Sequence, residues 1–263
     1  MSSTPHPAPV RRGTPTVGRR AFVDVVMGMP ISLHVKSVDV QRPDIAAAAD
    51  NVFATLRKID DLFSLWRADS ELRLLQVGDI AAGDCHPWQG EILELALEAE
   101  EVTDGLFTAW HGGRCSRGGH AAYDPTGIVK GWAVEKAAEM MRVVPGIAFC
   151  LSAGGDLVCG TGQDMVGRAP AWLIGIENPA VPGSYAGSVE VVLGAVATSG
   201  SAARGAHVVD PRTGDVVDRP GSATVVGPDL VWADVWATAA YVDPVEAGRL
   251  MRIRAPEYHL AVL

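Results

Sequence analysis

Long apolar runs are missing from this sequence of 263 residues. No stretch approaches the ~20 consecutive apolar residues that a membrane-spanning helix needs. The first twenty residues, MSSTPHPAPVRRGTPTVGRR, are rich in Pro, Ser, Thr and Arg, and Asp24 and Gly28 interrupt the apolar segment that follows. A secretory signal would carry an apolar core there. We therefore predict a disordered tail over residues 1–20, one folded domain over residues 21–263, a cytoplasmic location and no stable insertion into a membrane.

Basic charge is also scarce. The chain has 22 Lys and Arg residues against 31 Asp and Glu residues, which gives a formal net charge of -9. Proteins that bind nucleic acid need a basic face to neutralise phosphates. A nucleic-acid partner is therefore not expected, but an anionic substrate is still possible because a bound metal ion can reverse the local field.

Cysteine is scarce too, and no two cysteines form a Cys-x-x-Cys pair. A chain of this length does not depend on a disulfide framework, so small thiols in a reducing compartment are expected. Cys85 and His86 are adjacent and could suggest a metal, but the spacing typical of zinc sites is absent. The four cysteines are Cys85, Cys115, Cys150 and Cys159.

Apolar residues, in contrast, make up 48% of the chain, enough for a substantial core. Apolar spacing predicts five helices, the first of them capped by Asp44, and short β-type runs separated by turns predict nine strands. The two kinds of element are grouped along the chain, which favours an α+β fold over a doubly wound parallel sheet. The predicted helices span residues 45–63, 92–102, 130–141, 234–241 and 244–250, and the predicted strands span residues 22–27, 31–38, 148–152, 157–159, 172–176, 188–193, 195–198, 223–226 and 258–262.

The most informative stretch is AVATSGSAARGAHVVDPRTG, residues 195–214. Small hydroxyl residues, a histidine and an Asp/Arg pair lie beside two tight turns, as a phosphate-ester site would require. His207 could be a general base or a buried histidine satisfied by hydrogen bonds. Arg212 could pair with Asp210 or contact a phosphate.

Asp234 and Thr238 are separated by one helical turn, so their oxygens project from one face of a helix. A carboxylate, a hydroxyl and a loop carbonyl together form a hard-oxygen set that suits Mg²⁺. The alternative is structural, with Asp234 as a helix N-cap and Thr238 bonded back to its own helix.

Two glycine-containing turns complete the candidate regions. Lys130 follows Gly127 at the predicted opening of a helix, where backbone N–H groups favour an anion; the alternative is a capped turn with a solvated lysine. Gly154 and Gly155 predict a β-turn between two apolar runs, and their pattern does not match a dinucleotide-binding fingerprint.

Each of these signals is weak alone, but their order is specific. From about Arg20 to the last residue, the chain closely resembles the ApbE family of FAD:protein FMN transferases, also called flavin transferases. The resemblance rests on these segments in this order: MGMP, IDDLFS with DSEL, TDGLF, DPTGIVKGWAVEKA, SAGGDL, GIENP, ATSGSAARGAHVVDPRTG and ADVWATA.

The resemblance implies a two-lobed α+β fold with mixed or antiparallel sheets flanked by helices, FAD in a cleft between the lobes and Mg²⁺ beside its pyrophosphate. It implies that FMN is transferred from FAD to a Thr or Ser hydroxyl of an acceptor protein through a phosphoester bond, and that AMP is released. Asp234, Thr238 and the backbone carbonyl of Gly127 match metal ligands, and His207 matches the base that deprotonates the acceptor. The positions that match FAD contacts are Met27, Trp66, Leu106, Phe107, Thr108, Asp124 and Lys130.

The chain also departs from the family pattern. Thr108 stands where the family commonly has Asp, so one FAD contact is expected to be lost or replaced. Ala237 stands where some members carry a further carboxylate. Many members are exported lipoproteins, whereas the sequence here favours a cytoplasmic acceptor.

Two other functions use the same residues. An FAD pyrophosphatase would use water in place of the acceptor hydroxyl and give FMN and AMP, and a non-catalytic protein would only bind FAD. Acceptor segments in this family carry an Asp…Ser/Thr-Gly-Ala-Thr pattern. The Ser-Ala-Thr of residues 222–224 lacks the glycine of that pattern, so self-modification is not predicted.

Overall fold

A computed structural model describes residues 17–111, 122–200 and 208–263. The helices of this part of the chain are α1 (Pro43–Phe63), α2 (Glu71–Val77), α3 (Pro87–Val102), α4 (Thr126–Arg142), α5 (Leu230–Val242) and α6 (Pro244–Arg254). Its strands are β1 (Gly18–Val26), β2 (Met29–Ser37), β3 (Trp110–His111), β4 (Ala122–Tyr123), β5 (Ile147–Ala153), β6 (Asp156–Thr161), β7 (Trp172–Glu177), β8 (Tyr185–Val191), β9 (Gly194–Gly200), β10 (Ser222–Gly227) and β11 (His259–Val262).

Seven of these strands form the main sheet, in the order β1-β2-β5-β6-β9-β10-β11. Every neighbouring pair in it is antiparallel. Helix α4 packs against β5 and β6, α5 packs against β6, β9 and β10, and α1 packs against α4. The predicted α+β class, with antiparallel sheets flanked by helices, is confirmed.

Two further predictions concern the N-terminal tail and insertion into a membrane. Strand β1 begins at Gly18, three residues before the predicted start of the folded domain, and residues 1–16 lie outside the described part. Within the described ranges, none of the helices has the length and apolar character needed to span a bilayer.

The hairpin between β5 and β6 brings a carboxylate into the core. Gly154 and Gly155 both adopt positive φ angles, 59° and 98°, which suit the tight turn of a two-residue hairpin. The predicted turn is therefore present, and Asp156 follows it as the first residue of β6, completely buried. The turn was predicted from its glycines, whereas the burial of this aspartate was not.

Helix α5 packs against the sheet and against α4, and most of its residues are buried. A helix that is apolar on all sides belongs in a core. Asp229 caps it, because its side chain accepts a hydrogen bond from the backbone N–H of Trp232. The helix thus begins four residues before the predicted start, and Asp234 is an interior, buried residue instead of an N-cap.

The predicted cap of the first helix is also wrong, and the sequence patterns do not predict α2. Helix α1 starts with Pro43 after an N-cap at Arg42, and Asp44 lies in the first turn in an ion pair with Arg42. Helix α2 is not among the predicted helices; Ser70 caps it by accepting a hydrogen bond from the N–H of Arg73.

Gly131 allows α4 and α5 to approach each other closely. A Cβ atom at this position would lie 3.1 Å from the carbonyl oxygen of Leu230 and 3.3 Å from both Cβ and Oδ2 of Asp234. These distances are shorter than ordinary van der Waals contacts, so an added methyl group would push Asp234 aside.

We expect Gly131→Ala to destabilise the protein although alanine favours helices. Gly90, exposed in α3 with open space around it, is the matched control, and Gly90→Ala should raise the free energy of unfolding by up to about 1 kcal/mol. Gly131→Ala should lower it by about 1–3 kcal/mol because of overpacking. Urea denaturation of both variants measures the difference, and an equal gain in the two would contradict the close packing.

Candidate functional site

One cavity of about 560 Å³ collects most of the predicted site residues. Its wall is formed by residues from α4, α5 and β9, from the segment after α3 and from the 208–214 turn. Eight predicted residues line it: Leu106, Phe107, Thr108, Asp124, Gly127, Lys130, Asp234 and Thr238.

Helix α5 supplies Asp234 and Thr238 to this cavity, one turn apart as their spacing predicts. The Thr238 hydroxyl lies 3.1 Å from the Ser199 hydroxyl, within hydrogen-bond distance. Gly127, in the first turn of α4, lies on the same cavity, and a Cβ there would be 3.3 Å from the ring of Phe107. A buried carboxylate, a hydroxyl and a backbone carbonyl are the donors that Mg²⁺ prefers, so these residues fit the predicted metal.

The side-chain clusters that typically bind zinc would be an alternative to the oxygen ligands Asp234, Thr238 and Gly127. Among the described residues, no group of three or more His, Cys, Asp and Glu side chains could hold a metal ion. The oxygen set has only one carboxylate and is of a different kind. Cys85, Cys150 and Cys159 are free thiols, and Cys115 lies outside the described residues.

Lys130 is not the solvated lysine of the alternative interpretation. It lies in the second turn of α4 with only 18% of its side chain exposed. Its ammonium forms an ion pair with Asp156 and lies 3.4 Å from Oδ1 of Asp234. One cation therefore connects two buried carboxylates at the wall of the cavity.

Asp156 is the site residue that the sequence analysis missed. Its Oδ1 accepts a hydrogen bond of 2.9 Å from the backbone N–H of Thr198 in β9. It is completely buried, whereas Asp234 is 2% exposed and lines the cavity. A fully buried carboxylate needs a charged or hydrogen-bonding partner, so an Asp directly after a Gly-Gly turn between apolar strands was the available signal.

Leu106 and Phe107 form a buried apolar part of the wall. Thr103 fixes the turn that precedes them, because its hydroxyl accepts a hydrogen bond from the N–H of Phe107. Thr108, the departure from the family pattern, donates its hydroxyl to the Glu100 carboxylate over 2.9 Å. The threonine thus connects the cavity to a carboxylate carried by α3.

Asp124 orders the entrance to α4. Its Oδ1 accepts hydrogen bonds from the backbone N–H of Thr126, at 2.9 Å, and from the Thr126 hydroxyl, at 2.6 Å. Such a local bond fixes the turn before the helix. The carboxylate therefore holds in place the backbone that leads to Gly127.

Three predicted site residues are not among the residues that the structure places at the cavity. Met27 is half-buried against the core in the turn between β1 and β2, and Trp66 is 98% exposed; neither is among the described residues that line the cavity. His207 lies outside the described residues, and the next residue, Val208, lines the cavity. The roles predicted for these three residues stay predictions.

Arg212 lines the cavity but is held by two carboxylates. Its guanidinium donates two hydrogen bonds to Asp210, of 3.0 and 2.8 Å, and one of 2.9 Å to Asp243, the N-cap of α6. The pairing alternative of the sequence analysis is therefore the observed one. This clamp ties the 208–214 turn to α6.

The clamp should make stability depend on pH. The Arg212 hydrogen bond lowers the pKa of Asp210, and the N–H of Glu246 followed by Arg212 lowers that of Asp243. Since both folded-state pKa values lie below the unfolded ones, the stabilisation is complete above about pH 4–5 and is lost as the pH falls through the folded pKa values.

We expect Arg212→Met to lower the free energy of unfolding at pH 7 by about 1 kcal/mol or less, because the guanidinium is half exposed. The difference from the wild-type protein should shrink towards pH 3. Urea denaturation at several pH values measures it, with Arg168→Met at an exposed position as the control. A difference independent of pH would contradict the ionic origin.

Comparison with known proteins agrees with this description. The family model described as the ApbE family matches residues 109–260, more than half of the chain. None of the curated proteins compared with the chain matches it significantly.

Solved structures show the same fold. The ApbE protein of Thermotoga maritima is 20% identical, with 93% of this chain and 94% of that chain covered and a TM-score of 0.73. The flavin transferase ApbE of Vibrio cholerae is 18% identical, with 94% and 97% covered and a TM-score of 0.68. The flavinyl transferase ApbE of Pseudomonas stutzeri is 20% identical, with 94% of both chains covered and a TM-score of 0.69. At these identities the structures establish the fold. The family match over residues 109–260 establishes the family: this chain belongs to the ApbE family.

Proposed function

We propose that the protein is a Mg²⁺-dependent FAD:protein FMN transferase. It would cleave the pyrophosphate of FAD, attach FMN through a phosphoester bond to a Thr or Ser hydroxyl of a cytoplasmic acceptor protein, and release AMP. The observation that carries the proposal is the position of Asp234 and Thr238, one helical turn apart on the cavity that Lys130 and Gly127 also line.

The metal would be held by the Asp234 carboxylate, the Thr238 hydroxyl and the Gly127 carbonyl. When bound, Mg²⁺ would offset the negative charge of the two phosphoryl groups, which otherwise repel a nucleophile. Ser199, which contacts the Thr238 hydroxyl, would keep that hydroxyl directed to the ion.

The chain's own residues would supply positioning and proton transfer. The acceptor hydroxyl oxygen would bond to the phosphorus of the FMN half while the bond from that phosphorus to the bridging oxygen breaks. The bridging oxygen and its electron pair leave with AMP. His207 would take the hydroxyl proton, and the Lys130 ammonium would face the phosphate oxygens. Leu106 and Phe107 would offer an apolar wall to a ring of the substrate.

The test is a single incubation with three readouts. The full chain is mixed with FAD, MgCl₂ and a purified domain that carries an Asp…Ser/Thr-Gly-Ala-Thr segment, with EDTA in a parallel sample. The expected result is a metal-dependent mass increase of the domain by FMN, with one AMP released per modification. AMP without added mass would support the pyrophosphatase instead. Bound FAD with neither product would contradict an enzymatic role and leave a flavin-binding protein.

A further inference from the structure

Two buried carboxylates that share one lysine differ in their access to the cavity. Asp234 lines the cavity, whereas Asp156 is completely buried and is not among the described residues that line it. A cation that enters the cavity can therefore reach Asp234 and not Asp156. The Lys130 ammonium contacts both carboxylates.

This arrangement creates a competition at Asp234. An ammonium 3.4 Å from Oδ1 of Asp234 repels a divalent cation on the same carboxylate. A metal ion can bind Asp234 at low cost only if the ammonium keeps another carboxylate as its partner. Removing a charge from water without a partner is expensive, so the second carboxylate has a direct effect on metal affinity.

We propose that Asp156 is a positioning residue that retains Lys130 when a divalent cation binds Asp234. The inference rests on the metal site of the proposed function. Asp156 is held for this task by the backbone N–H of Thr198, which bonds to Oδ1 and leaves Oδ2 to the ammonium. Lys130 then stays at the cavity wall, beside the metal instead of in its place.

A purely structural role for Asp156 predicts something different. If the carboxylate only joins β6 to β9 through Thr198, its loss should lower stability and have no specific dependence on Lys130. Asp156→Asn keeps an oxygen that can accept the hydrogen bond from Thr198, so this variant separates the two roles.

The experiment is a double-mutant cycle on metal affinity. Mn²⁺ binding to the full chain without FAD is measured by calorimetry for the wild-type protein, Asp156→Asn, Lys130→Gln and the double variant. We expect Asp156→Asn to raise the Mn²⁺ dissociation constant about 10-fold, within the usual range of coupled sites. In the Lys130→Gln background the same substitution should change it by less than about 2-fold, because no ammonium competes.

A second background is available if Lys130→Gln is too unstable to purify. Lys130→Met keeps most of the length of the side chain and removes the ammonium. In this background Asp156→Asn should again change the Mn²⁺ dissociation constant by less than about 2-fold.

The outcomes separate this inference from the proposed function. A wild-type protein that binds no Mn²⁺ would overturn the proposed metal site and this inference with it. Wild-type binding with an unchanged Asp156→Asn variant would overturn the role of Asp156 alone. An equal effect of Asp156→Asn with Lys130 present and in the background that lacks the ammonium would also overturn it.

Discussion

Asp234→Asn is expected to abolish metal-dependent cleavage of FAD while the fold persists. The amide cannot supply the charge that a carboxylate offers to Mg²⁺, and the loss of one group that stabilises developing charge typically costs about 10²–10³-fold in rate. The fold should persist because Asp156 still holds the Lys130 ammonium inside the protein. Release of AMP, Mn²⁺ binding and thermal unfolding measure the three parts of this prediction.

A matched control is available on α1. Asp50 is exposed and is not among the described residues that line the cavity, so Asp50→Asn makes the same chemical change outside the cavity wall. It should leave all three measurements at the wild-type level. Metal-dependent activity of Asp234→Asn near that level would remove Asp234 from the metal site.

Local sequence patterns predicted most of the regular structure. The apolar spacing of residues 45–63 and 92–102 predicts helices that the structure extends at their N-terminal ends to Pro43 and Pro87. The start of α5 was placed too late, because Leu230, Val231 and Trp232 show no amphipathic period in a helix buried on most sides. Helix α2 has seven residues, too few for a periodic signal, and is defined by the cap at Ser70.

The candidate site was predictable where its chemistry lies within one element. The spacing of Asp234 and Thr238 is a helical property, and both side chains do line one cavity. Asp156 is absent from the predicted site residues because its importance comes from an ion pair with Lys130, 26 positions away in sequence, and from a strand partner at Thr198. Pairings between distant segments depend on the sheet order, which no local pattern contains.

Arg212 also makes one contact within a local turn and one with a distant segment. The sequence left open whether it pairs with Asp210 or contacts a phosphate. The local bond to Asp210 follows from a separation of two residues, but the bond to Asp243 requires α6 to lie beside the turn. The contact with Asp243 therefore depends on the tertiary structure, and it holds the guanidinium against α6.

His207→Ala is expected to stop FMN transfer and to spare FAD binding. A general base typically contributes about 10²–10⁴-fold in rate, and none of the apolar wall or the metal ligands is altered by the substitution. The assignment rests on the resemblance of the ATSGSAARGAHVVDPRTG segment and on the position of Val208, the next residue, at the cavity. Transfer to the acceptor domain and the dissociation constant of FAD are measured on the same preparation.

The exposed His259 of β11 provides the control, since His259→Ala removes an imidazole that is not among the described residues lining the cavity. It should transfer FMN at the wild-type rate.

A base that acts on the acceptor hydroxyl also predicts the shape of the pH profile. The activity of the wild-type protein should rise through the titration of an imidazole, near pH 6–7, and that rise should be absent from the residual activity of His207→Ala. If the variant retains both the rate and the rise, a different group removes the proton; if it loses FAD binding together with transfer, His207 serves the substrate pocket and not the proton.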